Sequence, residues 1–135
     1  MDDTFIVVVS LIIEQDGNIL FVKRRASKDH APNEWEFVSG RVEHGEMPEQ
    51  AVLREAKEET GLDVKIIELI DTFHFLRGAE KAQAIGITYH CQTGSNKIAL
   101  SSEHSDFCWL AIIENPAFDL QPGILESLET FRLKH

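Results

Sequence analysis

The stretch Arg54-Glu55-Ala56-Lys57-Glu58-Glu59-Thr60-Gly61-Leu62 constrains this chain more than any other. Nothing between Pro48 and Thr60 breaks a helix, and Pro48 suits a first turn, where its missing N–H has no partner to lose. Gly61 suits the left-handed residue past the helix end, with Leu62 folding back on the last turn. The spacing predicts a helix over 48–60 with Glu55, Glu58 and Glu59 at i, i+3 and i+4, inside an arc of roughly 100°. Ala51 falls in the same arc and is small enough to let something approach. Val52, Leu53 and Ala56 fall to one side and can face a core. Carboxylates so spaced repel each other. A divalent cation on that face makes the cluster tolerable. An all-carboxylate donor set, with no Cys or His at matching spacing, selects Mg²⁺ or Mn²⁺ over zinc. The competing reading is a solvated acidic face with Arg54 and Glu58 as an i, i+4 pair.

The chain has 135 residues, 43% of them apolar, which suits one domain with a real core. No internal repeat, low-complexity run or linker divides it, so 1–135 reads as a single domain. A net charge of −10 argues against a nucleic-acid polymer as partner, which needs a basic footprint. A phosphate ligand then requires a metal or a few placed bases. Cys91 and Cys108 form neither a disulfide framework nor a metal motif and read as reduced. No leader with a cleavage site is visible, and the apolar run Phe5–Ile13 is too short to span a bilayer. The expectation is a cytoplasmic protein without a membrane partner, monomeric or homodimeric.

Along the chain, Phe5–Ile13 is a β-branched run that reads as a strand buried on both faces. Asp16-Gly17 signals a hairpin, and Ile19–Arg25 returns as a second strand. Alternation puts Phe21, Lys23 and Arg25 on one side, with Leu20, Val22 and Arg24 on the other. Basic residues at that strand end can meet a phosphate or simply ring the rim. Ala26–Glu34 reads as a loop. Glu46 stands where Arg54 can pair with it and hold the loop ahead of the helix. Val64–Ile70 and Thr72–Leu76 suggest one long or bent strand. In Lys81–Cys91, Ile85, Ile87, Tyr89 and Cys91 alternate with a small face of Ala84, Gly86, Thr88 and His90, as though something packs closely there. Gln92–Ser102 is turn-rich, and Phe107–Ile113 is a short strand. Pro122–Leu133 is an amphipathic helix with Ile124, Leu128 and Phe131 on one stripe.

The segment from Gly40 to Leu62 resembles the Nudix box, G-x5-E-x7-R-E-U-x-E-E-x-G-U with U aliphatic. Gly40, Glu46, Arg54, Glu55, Glu58, Glu59, Gly61 and Leu62 stand at its fixed positions, and Ala56 at its inner U. The likeness extends to Arg24-Arg25-Ala26, His30, Asn33, Glu36, Phe37 and Met47–Val52, which look like the MutT-like members of that superfamily. It covers the first half of the chain well and the second half weakly. The resemblance implies an α+β fold, an α/β/α sandwich with a central mixed β-sheet between helices. It implies hydrolysis of a nucleoside triphosphate, oxidised or non-canonical dNTPs included, to a monophosphate and pyrophosphate, with Mg²⁺ and a small-molecule nucleotide as substrate.

Carried over residue by residue, the metal ligands are Glu55, Glu58, Glu59, Glu103 and the Ser39 carbonyl. Glu55 or Glu103 is the base, and Arg54 orients the loop and the glutamate face. Arg25, His30 and Phe37 contact the nucleotide, and Lys23 with Arg25 adds charge at the far phosphates. Glu103 enters six residues before Trp109, where this family adds a further carboxylate; an exposed loop acid is the alternative. The chain departs from the pattern in two places. Val38-Ser39 replaces Pro-Gly before the box glycine. No asparagine aligns near the last helix, where Asp119 and Gln121 can read a base edge or cap the helix. Other readings are a Nudix hydrolase of ADP-ribose, a nucleotide sugar or a dinucleoside polyphosphate, and a nucleotide sensor that does not cut.

Overall fold

A computed structural model describes residues 5–27, 31–77 and 81–135. The β-branched first run forms β1 (Phe5–Gln15), which turns through Asp16 (φ 50°) and Gly17 (φ 81°) into β2 (Asn18–Arg24). Two successive residues with positive φ are what a two-residue hairpin of this hand demands, and Asp-Gly supplies them cheaply. Two short strands follow, β3 (Trp35–Glu36) and β4 (Val38–Arg41), then helix α1 (Pro48–Thr60). The antiparallel pair β5 (Lys65–Arg77) and β6 (Ala82–Gln92) precedes β7 (His104–Ala111) and helix α2 (Pro122–Lys134).

The described strands form one mixed sheet. β1 runs parallel to β6 over ten pairs from Phe5↔Gln83 to Glu14↔Gln92. On its other edge β1 pairs antiparallel with β4 (Val8↔Arg41 to Leu11↔Val38) and, at the hairpin, with β2. β2 continues away from β1 to pair with β7 and β3. β5 is a single strand whose register slips between Ile66 and Glu68 and again between Leu69 and Asp71, so the expected bend takes the form of two irregularities.

Alternation along β1 explains the layers. Val9, Leu11 and Ile13 point to one face, where Ala51, Val52 and Ala56 of α1 join Leu20, Val22, Tyr89 and Cys91. Ile12 points to the other, with Ile19, Phe21, Phe37 and the α2 residues Leu128 and Phe131. Both faces are covered, which is why the first strand lacks polar alternation. The architecture is α+β, a mixed sheet between two helices.

Three expectations are corrected. Leu53 is 47% exposed and does not join the core: at about 100° per residue it falls just outside the buried arc that runs from Ala51 to Thr60. Ala51 is fully buried in the core and leaves no room for an approaching group. β7 starts at His104, three residues before the apolar signal. His104-Ser105-Asp106 looks like loop because its backbone pairs with Lys23 and Arg24 through a bulge. The small face of β6 does face a close neighbour: a Cβ on Gly86 would run into the ring of Phe73. No helix among the described residues is long and apolar enough to cross a membrane.

Candidate active site

α1 begins at Pro48, with the Met47 N–H donating to Gln50 Oε1 at 2.8 Å. It ends on Gly61 (φ 76°), whose N–H donates to the Lys57 carbonyl. The turn-rich segment after β6 crosses this end. Ala99 N–H donates to Thr60 O and Ser101 N–H to Glu59 O, satisfying carbonyls that the helix cannot. That crossing delivers Ser101 and Glu103 to the glutamate face.

Arg54 organises the other end of the face. Its Nε and Nη2 grip both oxygens of Glu46 (2.7 and 3.0 Å), Nη1 donates to Glu55 Oε1 (2.7 Å) and Glu58 Oε2 (3.1 Å), and Nη2 also donates to the Arg41 carbonyl (2.8 Å). Glu46 also accepts the Glu43 N–H at 3.0 Å. The guanidinium beside it and that N–H hold the Glu46 carboxyl down at about 2. The hydrogen bond to Glu46 raises Arg54 above its ordinary value. One side chain thus ties loop, strand β4 and two glutamates together.

The three helix glutamates are not equivalent. Glu58 is exposed, while Glu55 and Glu59 are 8% and 6% exposed. Burial pushes Glu55 up to about 7; Arg54 opposes this, and the charges of Glu59 and Glu58 add to it. Glu55 lies against Gly40, where a Cβ would occupy the place of its carboxyl. Burial also acts to raise Glu59, but the close contact and charge of His104, the hydrogen bond from Ser101 and contact with Glu103 outweigh it and leave its pKa below the ordinary value. Ser101 Oγ donates to Glu59 Oε2 at 2.7 Å and accepts the Glu103 N–H at 3.2 Å.

His104 is a residue the sequence reading missed. It is 2% exposed, with Nε2 3.0 Å from Glu36 Oε2 and Nδ1 3.1 Å from Glu59 Oε2, the second an ion-pair contact without hydrogen-bond alignment. Burial would lower its pKa; Glu36 and Glu59 outweigh that and raise it to about 9. Arg24 Nη1 reaches the same Glu36 oxygen at 3.3 Å. A polar chain Arg24–Glu36–His104–Glu59 therefore runs from the sheet to the glutamate face.

These shifts fix a pH dependence for the metal-free protein. His104 has a folded value near 9 against 6.5, so its contribution is complete below 6.5 and lost as pH rises through about 9. Glu55 holds its proton to about 7 against 4.5, so its burial destabilises progressively as pH rises through that window. Both slopes have the same sign. Thermal melts of the protein in chelator should show Tm falling from about pH 5 to about pH 9; a flat or rising profile contradicts the network.

Beside this face lies a cavity of about 540 Å³ lined by Arg24, Glu36, Phe37, Ser39, Arg77 and the first turns of α2. Its size suits a small-molecule ligand. Phe37 is 1% exposed and stacks on Phe21 with ring centroids 5.2 Å apart, so it is core and wall at once. Gln121 lines the cavity, and its Nε2 donates to both Glu34 oxygens at 3.2 Å; its side chain does not cap α2. Asp119, Lys23 and Arg25 are not among the lining residues. Arg25 Nε instead donates to Ser102 O at 2.6 Å and its N–H to Glu103 O, anchoring the segment that carries Glu103. His30 lies outside the described residues. Arg77, unremarked in the sequence, enters the wall from the end of β5; burial and the nearby charges of Arg41 and Arg24 lower its pKa. Three arginines so close give a strongly acidic chain its local positive field.

A NUDIX domain profile matches residues 4–131. The chain is 31% identical over 128 residues to the CTP pyrophosphohydrolase of Escherichia coli K12, covering 92% of this chain and 89% of that one. It is 40% identical over 72 residues to the 8-oxo-dGTP diphosphatase of Proteus vulgaris, covering 53% of this chain and 64% of that one, less than two thirds of the relative's length. A MutT protein from Methanosarcina mazei Go1 shares the fold at a TM-score of 0.83 with 20% identity, covering 99% and 97% of the two chains.

Proposed function

The chain belongs to the NUDIX domain family, and from that premise we propose that it is a Mg²⁺-dependent hydrolase cleaving a nucleoside triphosphate to a nucleoside monophosphate and pyrophosphate. The observation that carries this reading is the convergence of Glu55, Glu59 and Glu103 on one face, with Glu58 beside them, next to an arginine-lined cavity. Two buried glutamates and a contacting third repel unless a proton or cation sits among them. Oxygen donors alone fit Mg²⁺, with Mn²⁺ as substitute. A Cβ on Gly40 would meet the Glu55 carboxyl, so the β4 backbone lies against that side chain, which supports the neighbouring Ser39 carbonyl as the main-chain member of the proposed donor set.

Bound there, Mg²⁺ neutralises phosphate charge and favours ionised water. The residues do the rest. Glu55, Glu58, Glu59 and Glu103 would hold the cation, and either Glu55 or Glu103 would take the proton of the attacking water. Arg54 orients Glu55 and Glu58 without touching substrate. Arg24 and Arg77 face the phosphates, and Phe37 backs the nucleoside. Gln121, which lines the cavity and is held by Glu34, would read a base edge. The relatives' names divide between an oxidised purine and a pyrimidine nucleotide, so the triphosphate is the shared element.

Arg77→Ala should raise KM for the preferred triphosphate by about tenfold or more with kcat little changed, the loss of one charge-assisted contact; an unchanged KM removes Arg77 from the substrate site. The deciding experiment for the function is pyrophosphate and phosphate release with Mg²⁺ across dNTPs, NTPs, oxidised dGTP, ADP-ribose, a nucleotide sugar and a dinucleoside polyphosphate. Pyrophosphate from a triphosphate, abolished by EDTA, supports the proposal. Turnover of diphosphate-linked compounds alone, or binding without turnover, overturns it in favour of the other two readings.

A further inference from the structure

On the α2 face, away from the glutamate helix, Glu68 of β5, His90 of β6 and His135 just past α2 each offer a ligand atom, all within 4.8 Å of one another. We propose that this trio is a second metal site, for a zinc-class transition cation. Glu68 and His90 are cross-strand partners, so the sheet register fixes their pairing. His135 Nε2 lies 3.6 Å from Glu68 Oε1.

The independent sign is His90. It is 1% exposed, and its Nδ1 finds no hydrogen-bond partner among the described residues. A buried polar atom so abandoned is uncommon in a folded protein. Its other nitrogen, Nε2, lies 2.7 Å from Glu14 Oε1. An ionised carboxylate accepts, so the proton belongs on Nε2 and the Nδ1 lone pair is left open. That is the arrangement by which a second carboxylate sets the tautomer of a metal-binding imidazole. The ring is held by edge contacts with Phe131 and His135, at centroid distances of 4.8 and 4.7 Å.

Two imidazoles and one carboxylate suit zinc and its neighbours, not the Mg²⁺ of the glutamate face. Bonds of about 2.0–2.1 Å imply ligand atoms roughly 3.3 Å apart. Glu68 and His135, with side chains 40% and 27% exposed, have room to close that gap around the fixed His90. A cation there would pin the end of α2 to β5 and β6, and the first turns of the same helix line the substrate cavity.

The test is Zn²⁺ titration of the full chain by calorimetry in excess Mg²⁺, with metal content after dialysis as a second readout. The expected result is one Zn²⁺ per chain. Its affinity falls at least about tenfold in Glu68→Ala and in His135→Ala, while Mg²⁺-dependent turnover is kept, and it is unchanged in Glu58→Gln. His90 is left intact because its burial makes truncation a folding risk. Absence of binding, wild-type affinity in both variants, or loss of zinc only in Glu58→Gln would each overturn the site.

Discussion

Glu59→Gln will lower kcat/KM for the preferred triphosphate by at least about 100-fold, because loss of a ligand should exceed the roughly 10–100-fold typical of losing a group behind one. The amide keeps the size of the side chain and an oxygen for Ser101, but it removes the charge held by His104 and the anionic donor offered to the cation. His104 retains Glu36 at 3.0 Å, so the variant should fold with a modest loss in Tm. Glu58→Gln is the companion. Glu58 is exposed and meets Arg54 at 3.1 Å, so its loss should leave Tm almost unchanged. Its activity loss should be relieved by raising Mg²⁺. Pyrophosphate release measured against Mg²⁺ concentration checks both. Near wild-type turnover in the two variants at ordinary Mg²⁺ would sink the metal assignment.

What the sequence disclosed and what it hid follow one physical division. Helix α1, its Pro48 start, its Gly61 stop and the Asp16-Gly17 hairpin rest on local backbone preferences, and each stands where the local signal put it. The Glu46–Arg54 pair was legible too, because eight residues across one loop leave few places for either side chain. His104 was not. Its partners are Glu36, 68 residues away, and Glu59, brought together by a bulged β2–β7 pairing that no periodicity announces. Arg77 was hidden for the same reason, since it takes the successive β5–β6, β6–β1 and β1–β4 pairings to bring it near Arg41, and Arg24 comes from yet another strand. For the basic residues after Val22 the strand alternation was known, but not which face borders the cavity. The structure gives Arg24 to the cavity and Arg25 to the segment bearing Glu103.

Gly40→Ala should be the most damaging change that removes no functional group, with turnover down by about 100-fold or more, the cost of misplacing a reacting group by around an ångström. The three atoms nearest a Cβ at this position all belong to the Glu55 carboxyl. The backbone has little freedom to yield, because β4 is paired with β1 through Val9↔Gly40 and Ser10↔Ser39. The helix cannot yield either: Ala51, Val52 and Ala56 are fully buried beneath it. The strain therefore falls on the Glu55 side chain, which must leave both the strand and its 2.7 Å contact with Arg54. Overpacking of this kind destabilises by about 1–3 kcal/mol, so melting of the variant must be measured beside its turnover. Adding Glu55→Asp to Gly40→Ala withdraws the carboxyl by one methylene. The double variant should regain Tm while turnover stays low, because relief of the clash does not return the carboxylate to its place. Wild-type turnover in Gly40→Ala would mean that Glu55 need not lie against the strand, and would count against both the metal and the base role proposed for it.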